Sequence, residues 1–177
     1  SIHSPSYWNR KFEKTSNQYD LFKKYDKFNF KEYFELFKFC KKNNIDFAST
    51  PFDLKAVKFL KPIMKFFKIA SADITNIPLL QEVAKTKKPV ILSTGASNLS
   101  EIRRALKILK KNGSKEIIIL HCILNYPTSD HNANLDMIKD LKKNFKNHII
   151  GYSDHTLPDK DMLNLTTSFL KGAEVIE

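Results

Sequence analysis

From residue 45 onward the chain alternates short runs of consecutive apolar residues with longer segments whose apolar residues recur every three or four positions. A strand with one wet face alternates apolar and polar residues, so Ile117-Ile118-Ile119-Leu120 requires burial on both faces. Parallel sheets meet that requirement, because each crossover returns as a helix lying on the sheet. The apolar runs predict six strands, at Ile45–Ser49, Phe67–Ser71, Val90–Ser93, Glu116–His121, Ile149–Ser153 and Ala173–Glu177. Repeated β/α units of this kind predict an α/β fold.

The segments between them carry helix start and stop signals. Asn98 followed by Glu101 forms a capping box ahead of Ile102, Ala105, Leu106 and Leu109, and Asn112-Gly113 closes that helix. Pro78 suits the first turn of a helix running to about Lys85, and Asn134 or Asp136 opens another that buries Leu135, Ile138 and Leu141. Upstream, Phe30–Asn43 reads as a helix with Phe34, Phe37 and Phe39 toward the core. Residues 1–29 read as an elaborated loop with one short helix.

Such units build either an open doubly wound sheet or a closed barrel, and the strand ends separate the two. Ser49-Thr50, Ser71-Ala72-Asp73, Ser93-Thr94-Gly95, His121-Cys122 and Ser153-Asp154-His155 all put small polar or ionisable residues where a strand finishes. A barrel gathers every carboxyl end at one mouth, whereas an open sheet gathers only those beside its switch point. The expected fold is therefore a (β/α)8 TIM barrel, incomplete in this stretch, with residues 1–177 as one partial barrel domain. No Gly-rich dinucleotide or P-loop motif is present.

With 42% hydrophobic residues the chain can bury a core without disulfides or a structural metal. Cys40 and Cys122 lack the spacing of a knuckle or a disulfide framework, which fits a reducing, cytoplasmic setting. No run approaches the roughly 20 apolar residues of a membrane span, and Ser1-Ile2-His3-Ser4-Pro5 lacks the layout of a signal peptide. The net charge of +11 admits a polyanion partner, an anionic substrate or plain lysine bias. Lysines such as Lys107, Lys110, Lys142 and Lys143 fall on polar helix faces instead of one stripe interleaved with aromatics, so no nucleic-acid or membrane partner is expected. A basic nucleic-acid-binding domain stands as the alternative from another class.

Candidate chemistry lies at the strand ends. Asp154 beside His155 suits either metal binding or proton transfer, or else a loop histidine that is merely hydrogen-bonded. His121 either lines the same mouth or is packed, and its role stays open. Lys68, inside an apolar run, must reach the mouth or pair with an anion. Thr50, Ser71, Ser93 and Ser153 supply hydroxyls, and Gly95 permits an anion to approach the backbone. Asp73 ranks ahead of Asp53 and Asp154 as a substrate contact, since the latter two also fit caps and turns.

Several ordered strings together resemble the sialic acid synthase family, which includes N-acetylneuraminate, legionaminate and pseudaminate synthases. They are Ser49-Thr50-Pro51-Phe52-Asp53, Lys68-Ile69-Ala70-Ser71-Ala72-Asp73, Lys88-Pro89-Val90-Ile91-Leu92-Ser93-Thr94-Gly95, Leu120-His121-Cys122, Gly151-Tyr152-Ser153-Asp154-His155-Thr156 and Gly172-Ala173-Glu174-Val175-Ile176-Glu177. The resemblance implies condensation of phosphoenolpyruvate with an open-chain N-acylated amino sugar such as N-acetylmannosamine, assisted by a divalent metal, commonly Mn²⁺. By motif, Thr50, Lys68, Ser71, Ser93 and Ser153 correspond to phosphoenolpyruvate contacts and His155 to a metal ligand. Asp73 stands where the family usually has Glu, and Leu124 where some members carry a polar residue. A second His ligand is expected beyond Glu177, and a homodimer is expected of the full-length protein, with a C-terminal antifreeze-like domain that this stretch does not contain. The nearest alternative is the same condensation on a legionaminic or pseudaminic acid precursor, and a barrel aldolase or lyase using Lys68 as a Schiff base is the more distant one. Residues 1–177 alone, given phosphoenolpyruvate, Mn²⁺ and N-acetylmannosamine, are expected to show no appreciable turnover.

Overall fold

In a computed structural model, which describes residues 8, 9 and 11–177, the apolar runs after residue 65 form one parallel sheet. Its strands are β1 (Phe67–Ile69), β2 (Val90–Ser93), β3 (Ile117–His121), β4 (Ile149–Tyr152) and β5 (Val175–Ile176), paired in sequence order. The expectation placed on Ser1–Pro5 lies outside the described residues. Sequential parallel pairing needs a crossover at every step. These four crossovers run through α4 (Ile77–Lys85), α5 (Leu99–Lys111), α6 (Met137–Asn144) and α7 (Leu163–Leu170), while α3 (Leu54–Leu60) precedes β1.

Residue parity divides the sheet into two faces. Phe67, Ile69, Val90, Leu92, Ile117, Ile119, Ile150 and Tyr152 pack with Leu79, Leu80, Val83, Ile102, Leu106, Leu109, Ile138 and Leu141 of the helices in one core. The other parity, including Lys68, Ile91, Leu120 and Val175, lines a cleft on the opposite face. Register places Lys68 beside Ile91, and Ser93 beside Leu120 and then Gly151. Helices thus cover one face only. The second face is enclosed by curvature of the sheet.

An ion pair records that curvature. Lys68 on β1 meets the carboxylate of Glu177, immediately after β5. Five flat strands at about 4.8 Å spacing would hold β1 and β5 roughly 19 Å apart, farther than the two side chains span together. The sheet therefore bends toward a barrel, as expected from the strand ends.

The helices begin where their signals lie. Asn98 and Glu101 form the capping box of α5, and Gly113 follows its end with φ +119°. Asn76 caps α4 with Pro78 in the first turn, and Asp53 caps α3 by accepting from Ala56 N at 2.7 Å. Lys88 joins α3 to the approach of β2 by donating to the carbonyls of Lys61 and Met64. In the N-terminal region the one expected short helix is α1 (Gln18–Tyr25), beside which Glu13 accepts from Lys24 and Tyr25.

Three expectations change. Ile45–Ser49 forms no ladder with β1: Ile45 is 63% exposed and contributes no burial to fix a register. In α2 (Phe30–Lys42), Phe37 packs against the core, but Phe34 and Phe39 are 42% and 66% exposed. Phe30, Tyr33 and Phe37 share one helical stripe against Phe47 and Phe59, and Phe39 falls off it. Ser71 and Ser153 lie just past their strands, Ser71 opening a 3₁₀ turn over Ser71–Asp73.

His121 turns out to belong to the helix-facing side. Its Nε2–H donates to the Ala133 carbonyl at 2.8 Å, and its ring stacks on Tyr152 at 5.8 Å. Register pairs His121 with Tyr152, one position out of phase with the cleft-lining Leu120. It therefore packs beneath the loop after β3 and does not line the mouth.

Two consequences are measurable. A Cβ on Gly151 would overlap the Val175 carbonyl and come within 2.5 Å of Leu120 Cδ2, where backbone cannot yield cheaply. Gly151→Ala is expected to lower unfolding stability by about 3 kcal/mol in urea titrations, the upper range for an overpacked site. Burial, partly offset by the bond to Ala133, holds the pKa of His121 below its ordinary value, so the unfolded chain binds the extra proton more readily. That contribution is present above about pH 6.5 and lost as pH falls. His121→Gln, which retains a donor for Ala133, should show a flatter decline in urea midpoint from pH 7 to 5 than the parent; equal slopes would refute this.

Candidate active site

The carboxyl ends of β1 to β5 present three groups of side chains, and Glu177 joins the first two. The first lies in a cleft of about 420 Å³ lined by Ser49, Thr50, Phe66, Lys68, Ile91, Leu120 and Glu177. Lys68 reaches this cleft because its parity on β1 directs it away from the helices; its side chain is largely covered, and Glu177 neutralises its ammonium. Past the end of β5, the Glu177 carbonyl accepts from Asp154 N at 2.9 Å. The cation is thereby tied to the turn after β4, which carries the second group.

In that turn the His155 imidazole is held on several sides. Its Nδ1 lies 2.6 Å from the Ile123 carbonyl, which can only accept, so Nδ1 carries the proton and Nε2 is the basic nitrogen. Ser153 Oγ lies 3.2 Å from Nε2, and the Tyr126 ring covers the imidazole at 4.1 Å. The His155 carbonyl accepts from Thr128 N at 2.7 Å. An Nδ1–H held by a backbone carbonyl leaves Nε2, beside Ser153 Oγ, as the nitrogen a metal could use. His155 thus fits as one imidazole ligand. Among the described residues no group of three or more His, Cys, Asp or Glu side chains converges to hold a cation.

A third arrangement connects the ends of β1, β2 and β3. Gly95 N donates to Ser71 Oγ at 2.9 Å, and Ser71 Oγ lies 3.1 Å from Cys122 Sγ. A Cβ at Gly95 would stand 2.9 Å from that sulfur and 3.1 Å from that oxygen, so glycine permits the close packing. Thr94 bonds Leu120 O through both its backbone N–H and its hydroxyl. Ser93, on the cleft parity, is buried with a hydroxyl that has no hydrogen-bond partner. A buried unpaired hydroxyl is costly, and a bound polar group would satisfy it.

Of the remaining candidates, Asp73 and Asp53 separate from these groups, whereas Asp154 closes the turn that carries His155. Asp73 sits on the 3₁₀ turn after β1 and accepts from Asn76 Nδ2 at 3.0 Å. Asp53 serves α3 as its cap. Asp154 Oδ1 accepts from Tyr152 OH at 3.0 Å, Thr156 N at 2.9 Å and Thr156 Oγ1 at 2.8 Å, and burial together with this carboxylate pushes the Tyr152 phenol well above its usual range. Sequence reasoning missed Glu177 as the partner of Lys68, Cys122 beside Ser71, and Tyr126 over His155. A carboxylate closing an apolar run whose parity faces Lys68 was the available signal for the first; the other two depend on loop packing.

Residues 2–177 match the NeuB family. The chain is 50% identical to the N,N'-diacetyllegionaminic acid synthase of Campylobacter jejuni over 125 residues, covering 69% of this chain and 37% of that protein. It is 34% identical over 182 residues to the synthase of the same name from Legionella pneumophila, covering 100% of this chain and 50% of that one. The crystal structure of an N-acetylneuraminic acid (sialic acid) synthetase from Leptospira borgpetersenii, in complex with citrate, aligns with a TM-score of 0.78 at 41% identity, covering 85% of this chain and 51% of that chain. A truncated 3-deoxy-D-arabino-heptulosonate 7-phosphate synthase from Thermotoga maritima aligns at 17% identity with a TM-score of 0.70, covering 85% of this chain and 59% of that one, a likeness of fold alone. The chain spans about half the length, or less, of the curated relatives it matches. Among the described residues no helix is long and apolar enough to cross a membrane.

Proposed function

We propose that this chain, which belongs to the NeuB family, supplies the phosphoenolpyruvate-binding part of a synthase that condenses phosphoenolpyruvate with an N-acylated amino sugar. The products are a nonulosonic acid and inorganic phosphate. The observation that carries this reading is the family match over residues 2–177, together with synthases of such acids among the relatives. The placement of Lys68, Ser71, Ser93 and Ser153 at or near the carboxyl ends of their strands is in keeping with it.

In the proposed reaction C3 of phosphoenolpyruvate forms a bond to the aldehyde carbon of the open-chain sugar, and the aldehyde oxygen takes up a proton. Positive charge then develops at C2, where water adds and loses a proton. Phosphate leaves by cleavage of the C2–O bond, carrying the bridging oxygen and the bonding pair, as the new C2 hydroxyl loses its proton and becomes the carbonyl. Lys68 would offset the charge of the carboxylate or phosphate, and its attraction is strengthened by its partly covered cleft. The unpartnered Ser93 hydroxyl would donate to the same anion, while Gly95 fixes Ser71 Oγ by donating to it. Binding in one orientation supplies the proximity that two separate reactants lack. A divalent cation, Mn²⁺ by family resemblance, would supply Lewis-acid polarisation of the aldehyde, with His155 Nε2 as one of its ligands. The ion pair with Glu177 favours an ammonium role for Lys68 over a Schiff-base amine.

The full gene product, incubated with phosphoenolpyruvate, Mn²⁺ and a panel of N-acylated amino sugars, is expected to release phosphate only when an acceptor sugar is present. With ¹⁸O in the bridging position, mass spectrometry should find the label in phosphate. Lys68→Ala is expected to lower kcat/KM for phosphoenolpyruvate about 100-fold, the scale of losing one preorganised charge contact. Absence of sugar-dependent phosphate release across the panel would count against the reaction.

A further inference from the structure

We infer that Asn164 is a positioning residue, which holds the His155 imidazole in place through a hydrogen-bond relay from the first turn of α7 to the turn after β4. The site role given to His155 rests on the function proposed above; the relay itself rests on geometry. Asn164 is only 6% exposed, although it occupies the second position of a helix whose neighbouring Leu163 is largely open to solvent. Its Nδ2 donates to Asp130 Oδ1 at 2.9 Å and to Thr156 Oγ1 at 3.2 Å. The Thr156 hydroxyl has one hydrogen, which it donates to Asp154 Oδ1 at 2.8 Å, leaving its lone pairs for Asn164. The same carboxylate oxygen accepts from Tyr152 OH and Thr156 N. Along the branch through Thr156 every donor therefore points toward Asp154, and the direction of that branch is fixed.

His155 lies between the two residues that this relay fastens. The bond from Thr156 N to Asp154 Oδ1 closes an Asx turn with His155 at its centre, so the turn sets the direction of the His155 Cα–Cβ bond. Asn164 also ties Asp130, on the loop after β3, which contributes Ile123 O to His155 Nδ1 and Thr128 N to the His155 carbonyl. One buried amide thus sets the separation of the two loops between which the imidazole is held. The start of α7 is itself fixed, since Asp159 Oδ2 accepts from Leu163 N at 3.0 Å and Met162 turns the chain at φ +48°. A network of this kind specifies one arrangement while every member is paired, and loosens when a link is cut.

Asn164→Leu keeps the branched shape of the side chain and removes the donor, and Thr156→Val removes the hydroxyl with little change of shape. Each is to be made in the full gene product with ¹⁵N-labelled histidine. In the parent, His155 should show a single Nδ1–H tautomer in long-range ¹H–¹⁵N spectra. Both single variants should convert it to a mixture of tautomers while the His121 ring signals stay unchanged. If the proposed reaction holds, each single variant should also lower kcat about 10-fold with KM for phosphoenolpyruvate little altered, the scale typical of outer-shell partners. The double variant should be no worse than the worse single one, because both cut one relay. An unchanged His155 tautomer in either single variant, or additive losses in the double, would overturn the relay. The imidazole spectra report on it even if no acceptor sugar supports turnover, so failure of the relay and failure of the proposed reaction give different results.

Discussion

The in-register parallel ladder is the constraint on which everything else in this molecule depends. Because β1 to β5 pair in sequence order and in one direction, alternate residues of β1 to β4 divide between a helix-packed face and a cleft face. A shift of one residue would bury Lys68 among Leu79, Leu80 and Val83 and turn Phe67 and Ile69 toward the cleft. The apolar helix face makes that exchange prohibitive, since it would strand a charge in the core. Lys68 therefore stands in the cleft because its neighbours on either side cannot.

Curvature converts that ladder into a site. Among the described residues the second face has no helix layer, so residues there are covered by the sheet bending over them and by Ser49 and Thr50, and Gly151 allows β5 to approach β4 closely enough for the bend. The same bend brings Glu177 to Lys68 and the Glu177 carbonyl to Asp154 N, which connects the two ends of the described sheet at the mouth. Loops beyond the strands complete the arrangement. His155 is held by the backbone of one loop, by Ser153 and by Tyr126, while the Asp154 carboxylate closes the turn around it.

Much of this was legible before any coordinates. The capping box at Asn98 and Glu101 and Pro78 in the first turn of α4 depend on interactions between near neighbours, which sequence displays directly. Five of the six expected strands form within a residue or two of their apolar runs, Val175–Ile176 being shorter than the run around it. The miss at Ile45–Ser49 has a different character: its composition suits a strand, but a strand exists only when a partner accepts its hydrogen bonds. Phe34 and Phe39 in α2 likewise read as core by type, and only the position of Phe47 and Phe59 selects which stripe of the helix is covered.

The strand-end hydroxyls, Lys68 and His155 were visible as candidates because polar residues closing apolar runs violate the pattern around them. By itself the sequence determined the alternation of elements, the capping box of α5 and the family, all of which follow from local spacing or ordered motifs. Tertiary structure alone decided that His121 packs under a loop instead of lining the mouth, that Glu177 neutralises Lys68 across the sheet, and that Asn164 reaches Thr156 and Asp130. Those outcomes depend on distances between residues far apart in the chain, set by how tightly the sheet curls and how the loops fold back, and no local pattern encodes either.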